Sequence, residues 1–314
     1  MYFKNGMVQK NFIKEEAERL EISPMAAYTT YYARMLLERL ALINYGELVV
    51  KGSFSQYVHL GKLIRPVLDI DLSSLYFHQV PLQILQEAIL AQADDNTKFE
   101  IGSKIRQTQN GVYKIPVVAK IKYDGEKEMV FPVPIDFKEN NKVIFETQFK
   151  AVEPLFTDDQ KFYINVPSFE EHIAEKMYVV AHNNRANTAN TRVKDFYDVY
   201  EMLEFTYGNN HFDADKVNLY FQTMLILYNK DNIKNNYKTL DMEKINTEFL
   251  DKKFVKKHQA LWDAMRDKYQ FIYKDVDLDE TVYYIRRVLR ENINKIRDGY
   301  NHDQAVSLAR KMVK

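Results

Sequence analysis

The chain contains no cysteine. Disulfides, thiolate metal sites and cysteine nucleophiles are therefore excluded. Glycine is scarce, at 9 of 314 residues, against a usual share of ~7%. A glycine-poor chain rich in Lys, Glu and Leu leans helical. No run of about 18 apolar residues occurs, so no membrane span is expected. The segment Met1 to Lys10 lacks the apolar stretch of a secretory leader, and a reducing cytoplasm is the expected compartment. Charge of one sign is not in excess either, since 44 basic and 44 acidic residues sum to zero. That excludes a molecule coated evenly in basic surface, while a local basic groove stays compatible with it. What the chain does have is aromatic side chains, 22 Tyr and 19 Phe. They predict an aromatic-rich core, and rings able to stack on a base or meet a phosphate.

Residues 11–45 read as helical, with apolar residues at helical intervals from Ala26 to Ile43. Glu47 to Val50 reads as a short buried strand that runs into Lys51-Gly52-Ser53. A second strand is expected from Val67 to Leu72, and a Pro-initiated helix over 81–93. Between 98 and 166, Val, Ile, Tyr and Phe alternate with polar residues, which predicts a run of antiparallel strands. Tyr123-Asp124-Gly125-Glu126 is a hairpin-turn signal within it. Pro167 followed by Ser168-x-x-Glu171 is a capping box that starts a helix. A polar, Asn-rich loop is expected over 182–190 and a helix from Thr191 to Leu203. Further helices are expected at 213–229, 254–270, 279–297 and 302–313. The domain boundary falls near 165–168. It separates a mixed α/β unit, 1–166, from a helical unit, 167–314, expected to close over a cleft.

Chemistry concentrates first in Arg65-Pro66-Val67-Leu68-Asp69-Ile70-Asp71-Leu72. On a strand, alternate residues share a face, so Leu68, Ile70 and Leu72 form an apolar face. Arg65, Asp69 and Asp71 fall on the other. Two carboxylates on one face repel unless a cation lies between them. Mg²⁺ takes oxygen ligands and keeps waters and phosphate oxygens, so two carboxylates and a triphosphate suit it. Asp-x-Asp alone is a weak signal, and two solvated surface acids would read the same way. Sixteen residues upstream, however, a strand runs into Gly52-Ser53. Backbone N–H groups at such a turn can cradle phosphate, with the Ser hydroxyl as a further donor. A third acid is expected on a neighbouring strand. Along Met129 to Phe137 the odd positions are apolar, which leaves Asp136 on the opposite face as the candidate. Pro132 and Pro134 remove ladder donors there and mark an edge.

In the helical half, Ile173, Met177 and Val180 form an apolar stripe, and Lys176 lies on the same inward face. An inward lysine needs an anion, unless it snorkels from the edge of the stripe. On the next helix Val193, Phe196, Tyr200 and Leu203 read as core. Asp195, Asp198 and Met202 share another face, with Arg192 and Lys194 beside it. Taken alone, the two acids read as solvated.

Together these pieces resemble a known family. Gly52-Ser53, Arg65-x-x-x-Asp69-Ile70-Asp71-Leu72, Glu175-Lys176 and Arg192-x-Lys194-Asp195-x-x-Asp198 occur in the order seen in the AbiEii-like nucleotidyltransferases. These are toxin components of abortive-infection and toxin–antitoxin systems, within the DNA polymerase beta-like superfamily. The resemblance covers about 45–205; Lys51-Gly52-Ser53-Phe54 departs from the Gly-Gly-Thr-Ala-Leu of many members. It implies an α/β fold with a small mixed sheet followed by a helical domain. It implies that Gly52, Ser53 and Arg65 meet the nucleotide and that Asp69 and Asp71 bind metal. It further implies that Lys176 contacts the triphosphate and that Asp195 or Asp198 completes the active site. Asp136 is added on superfamily logic. The expected substrate is a nucleoside triphosphate with Mg²⁺, and the expected acceptor is RNA, notably a tRNA end, or a protein. A cognate antitoxin is the expected protein partner. The rivals are a small-molecule nucleotidyltransferase of the aminoglycoside-modifying kind and a noncatalytic binding protein on the same fold. Retention of mutually repelling acids speaks against the second.

Overall fold

The computed structural model describes residues 6–43, 47–75, 82–91, 96–123, 127–141, 144–157, 159–182, 193–206, 212–228, 247–248, 250–269 and 275–313. The chain divides into two compact units, Met1–Pro167 and Ser168–Lys314.

The first unit opens with two helices, α1 (Gly6–Arg19) and α2 (Pro24–Ile43). The single helical region expected over 11–45 is thus broken at 20–23, where Glu21 takes a positive φ of 54°. Ser23 then caps the new helix, its Oγ accepting from Ala26 N at 3.2 Å, and Pro24 supplies a first-turn residue that needs no donor. α2 is buried along most of its length, including Tyr28, Tyr31, Tyr32, Leu36 and Leu37. A helix apolar on nearly all sides belongs inside a core.

β1 (Leu48–Lys51) leads directly into α3 (Gly52–Leu60), and β2 (Ile70–Leu75) and α4 (Leu82–Leu90) follow. The β-rich stretch comprises β3 (Thr97–Ile101), β4 (Arg106–Gln107), β5 (Val112–Ile115), β6 (Val117–Tyr123), β7 (Lys127–Pro132), β8 (Ile135–Asn141), β9 (Thr147–Val152) and β10 (Phe162–Pro167). One sheet has seven strands in the order β4-β5-β8-β2-β1-β10-β9, and the other has three, β3-β6-β7. β1–β10 and β2–β8 run parallel, and the other pairs are antiparallel. The class is mixed α/β, as the sequence predicts, although the antiparallel run is shared between two sheets. The strand expected from Met129 to Phe137 is two strands. The chain leaves the small sheet after Pro132 and joins the large one at Ile135. Neither proline can donate, so the change of sheet falls where ladder bonds would be missing anyway. The expected alternation nonetheless holds across the break, with Phe131, Val133, Ile135 and Phe137 all buried. Tyr123 pairs with Lys127; the turn at 124–126 lies outside the described residues.

β2 also begins later than expected. Pro66 cannot donate, and Val67 bonds instead to α2, its N–H to Thr30 Oγ1 at 3.1 Å. The ladder starts at Ile70, whose N–H donates to Pro134 O at 2.9 Å. Arg65 and Asp69 therefore precede the strand.

The second unit is helical: α5 (Phe169–His182), α6 (Val193–Thr206), α7 (Ala214–Tyr228), α8 (Lys252–Tyr269), α9 (Leu278–Arg297) and α10 (His302–Val313). Each expected helix appears. Ser168 caps α5 as its motif predicts, with Glu171 N donating to Ser168 Oγ at 3.3 Å. α9 buries Leu278, Val282, Ile285, Leu289, Ile293 and Ile296, one stripe at helical spacing. Of the polar loop expected over 182–190, His182 ends α5; the rest, with Thr191 and Arg192, lies outside the described residues. Among the described residues no helix is long and apolar enough to cross a membrane.

Candidate active site

Lys51 closes β1 and caps α3 with extended dihedrals, making no side-chain cap hydrogen bond. Gly52 starts the helix at φ 63°, in the left-handed region that costs an L side chain about 1–2 kcal/mol. The first N–H groups of a helix lack intrahelical partners and carry its positive dipole end, which suits an anion. Ser53 is 6% exposed, and its Oγ has no hydrogen-bond partner among the described residues. A buried hydroxyl left so is costly, and a ligand oxygen would satisfy it.

The glycine is demanded a second time by its neighbour. A Cβ built on Gly52 would lie 1.9 Å from Asp71 Oδ2. The cause is register: Lys51 of β1 sits opposite Asp71 of β2, so the Asp71 carboxylate is carried to the start of α3. On the other side Asp71 is in register with Asp136 of β8. In-register residues on paired strands share a face, about 4.8 Å apart. Asp136, expected as a third acid on a neighbouring strand, thus stands beside Asp71. It also accepts an ion pair from Lys114 Nζ of β5. Asp69 is half-buried one residue before β2, and Ile70 between it and Asp71 is fully buried. Arg65 is 4% exposed and lies off the strand.

Among the described residues no group of three or more His, Asp or Glu is assembled as a metal cluster. What is assembled is a pair of in-register carboxylates, a third two residues from one of them, a helix N-terminus and an unsatisfied buried hydroxyl. Hard oxygen donors beside a helix N-terminus fit a divalent cation that keeps positions for phosphate and water.

The second unit holds its own ionic cluster. Lys176 Nζ donates to Asp195 Oδ1 at 2.8 Å and to Asp198 Oδ2 at 3.0 Å. The lysine side chain is 15% exposed, and the acids are 3% and 0% exposed. The solvated reading of the two acids is overturned: they are buried, and the inward lysine of α5 is their counter-ion. Ile173, Met177 and Val180 are all fully buried, as their stripe predicts. Tyr200 is only half-buried, while Tyr197, not expected in the core, is fully buried.

Sequence reasoning missed Lys114 and His59. His59 lies in α3, with Nε2 donating to Pro167 O at 2.8 Å and Nδ1 3.4 Å from Lys150 Nζ. Burial, then the Lys150 charge, pushes its pKa down to about 4, against a smaller upward pull from the Pro167 bond. Nothing in single-sequence pattern marks either residue, because each matters through a partner 22 and 91 positions away.

By family the chain is a nucleotidyltransferase. The family model described as "Nucleotidyl transferase AbiEii toxin, Type IV TA system" matches residues 36–288. The chain belongs to that family, and the match takes in every candidate site residue. It also reaches well past the 45–205 that motifs alone could align. A solved structure titled "putative nucleotidyltransferase from H. pylori" is similar at a TM-score of 0.47 and 14% identity, covering 88% of this chain and 98% of that one. An antigenic nucleotidyltransferase-like protein from Paracoccidioides brasiliensis is similar at 0.36 and 12%, covering 68% and 92%. No curated protein matches.

Proposed function

We propose that this chain transfers a nucleoside monophosphate from a nucleoside triphosphate to an acceptor hydroxyl, releasing pyrophosphate. One observation carries the reading: the Asp71 carboxylate is packed against the left-handed Gly52 at the start of α3, beside the unsatisfied hydroxyl of Ser53. A structural turn has no use for that combination, whereas a phosphate and its cation use every part of it. In this reading the α3 N–H groups and Ser53 Oγ bind phosphate oxygens. Asp69, Asp71 and Asp136 would hold Mg²⁺, which supplies charge neutralisation on the phosphates when bound. One of the carboxylates takes the proton of the acceptor hydroxyl. Lys176, kept in one orientation by Asp195 and Asp198, is proposed to offset charge growing on the triphosphate. Arg65, 4% exposed, is proposed to meet the nucleotide.

By family the acceptor is proposed to be RNA, a tRNA end in the first instance, with a cognate antitoxin as the protein partner. Incubation with each labelled nucleoside triphosphate, Mg²⁺ and total RNA tests this. Label in an RNA band supports it; label on protein alone changes the acceptor; no transfer with any nucleotide and any acceptor overturns the reading.

A further inference from the structure

The large sheet carries one continuous row of charge. Lys51 is in register with Asp71, Asp71 with Asp136, Asp136 with Lys114, and Lys114 with Arg106. These residues come from five adjacent strands, and in-register neighbours share a face. Two acids are therefore bracketed by cations, with Lys51 on one flank and Lys114 and Arg106 on the other. Lys114 Nζ is paired with Asp136 Oδ2, and their side chains are 55% and 21% exposed. Arg106 and Lys114 both stand in solvent on the outermost hairpin of the sheet.

An exposed ion pair of this kind is weak and exchangeable. It is also placed where it conflicts with the chemistry: an ammonium on Asp136 and a divalent cation on the same carboxylate repel each other. We propose that Lys114 is the resident counter-ion of Asp136. It neutralises the acid in the metal-free protein and is displaced when a divalent cation binds between Asp71 and Asp136. Released, it joins Arg106 as a basic pair for the substrate's polyphosphate. The direction follows from the row: beyond Lys114 in register stands Arg106, and two cations side by side are relieved by an anion. Phosphates held at the start of α3 would lie near this same face, since Asp71 Oδ2 stands against Gly52. The proposal rests on reading Asp71 and Asp136 as metal-binding, and it assigns Lys114 a positioning part in both binding steps.

The test is Mn²⁺ titration followed by electron paramagnetic resonance, without nucleotide, on the parent, Lys114→Met, Asp136→Asn and the double variant. Removing the competing charge should tighten Mn²⁺ binding about three- to tenfold. In the Asp136→Asn background the same change should do less. At saturating Mn²⁺, inorganic tripolyphosphate should bind Lys114→Met about three- to tenfold more weakly. Opposite signs in one variant cannot come from loss of folding. Equal Mn²⁺ affinity in the parent and Lys114→Met, with Asp136→Asn weakened, overturns this proposal alone. Unchanged Mn²⁺ affinity in Asp136→Asn overturns the carboxylate reading and this proposal with it. Unchanged tripolyphosphate affinity overturns the released lysine's destination.

Discussion

Gly52 has no substitute, because backbone conformation and a neighbouring carboxylate both exclude a Cβ. Gly52→Ala places a methyl 1.9 Å from Asp71 Oδ2 at a φ of 63°. The expected outcome is a loss of transfer of at least about a hundredfold with a stability cost of about 1–3 kcal/mol. Activity assays and thermal melts on one preparation check it. Asp69→Asn and Asp71→Asn should each abolish transfer while leaving the chain folded, which activity assays and thermal melts on the same preparation check. A parental transfer rate in either would remove that residue from the site. Lys176 behaves differently. Its removal strands two carboxylates that are 3% and 0% exposed, so Lys176→Met should cost about 3–5 kcal/mol in urea denaturation. Lys176→Met/Asp195→Asn/Asp198→Asn should recover most of that. If the recovered variant binds a nucleoside triphosphate analogue as well as the parent, Lys176 has a structural part only.

At the scale of elements, α3 stands out for its buried polar groups. It is short and apolar in mean character, yet it buries Ser53, Ser55, Gln56 and His59. A buried helix with polar groups is held by specific partners, and His59 supplies one by donating to Pro167 O at the end of β10. With a folded pKa near 4 against an ordinary value of 6.5, His59 binds its proton more tightly in the unfolded chain. Stability is then full above about pH 6.5 and falls as the pH drops toward 4, by about 2 kcal/mol at pH 5. Denaturation midpoints from pH 7 to 5 should show that slope, and His59→Gln should flatten it. An unchanged slope in the variant would place the titration elsewhere. The sheet tells how far element reading carries. The strand with Asp136 was legible from alternation, but its division at Pro132 and Pro134 was not, because both halves keep the same parity of buried residues. Register was invisible: no pattern in one strand says that Asp136 faces Asp71 and Lys114.

For the whole molecule, binding is the measurable consequence. A ligand that binds only the folded state stabilises it by about 2.7 kcal/mol at a hundred times its dissociation constant. Mg²⁺ with an unreactive nucleoside triphosphate analogue should therefore raise the melting temperature by about 5 °C or more. EDTA should reverse the part due to metal. No shift with any of the four nucleotides would count against the phosphate cradle. Because the chain divides into two compact units, a shift confined to one of two resolved transitions would also say which unit carries the binding energy.

The sequence by itself determined the class of fold, the order of the helices in the second unit, the capped start of α5 and the residue types able to hold a nucleotide and a cation. It could do so because helical period, strand alternation, caps and the Gly52-Ser53 to Asp69-x-Asp71 spacing are local, and local spacing fixes which side chains share a face. Only the tertiary structure decided that Gly52 and Asp71 touch, that Asp136 is paired with Lys114, and that Asp195 and Asp198 are buried around Lys176. Those are decided by register between strands and by the face one helix turns to another. Both depend on partners far apart in the chain, where a solvated acid and a buried, paired one read alike.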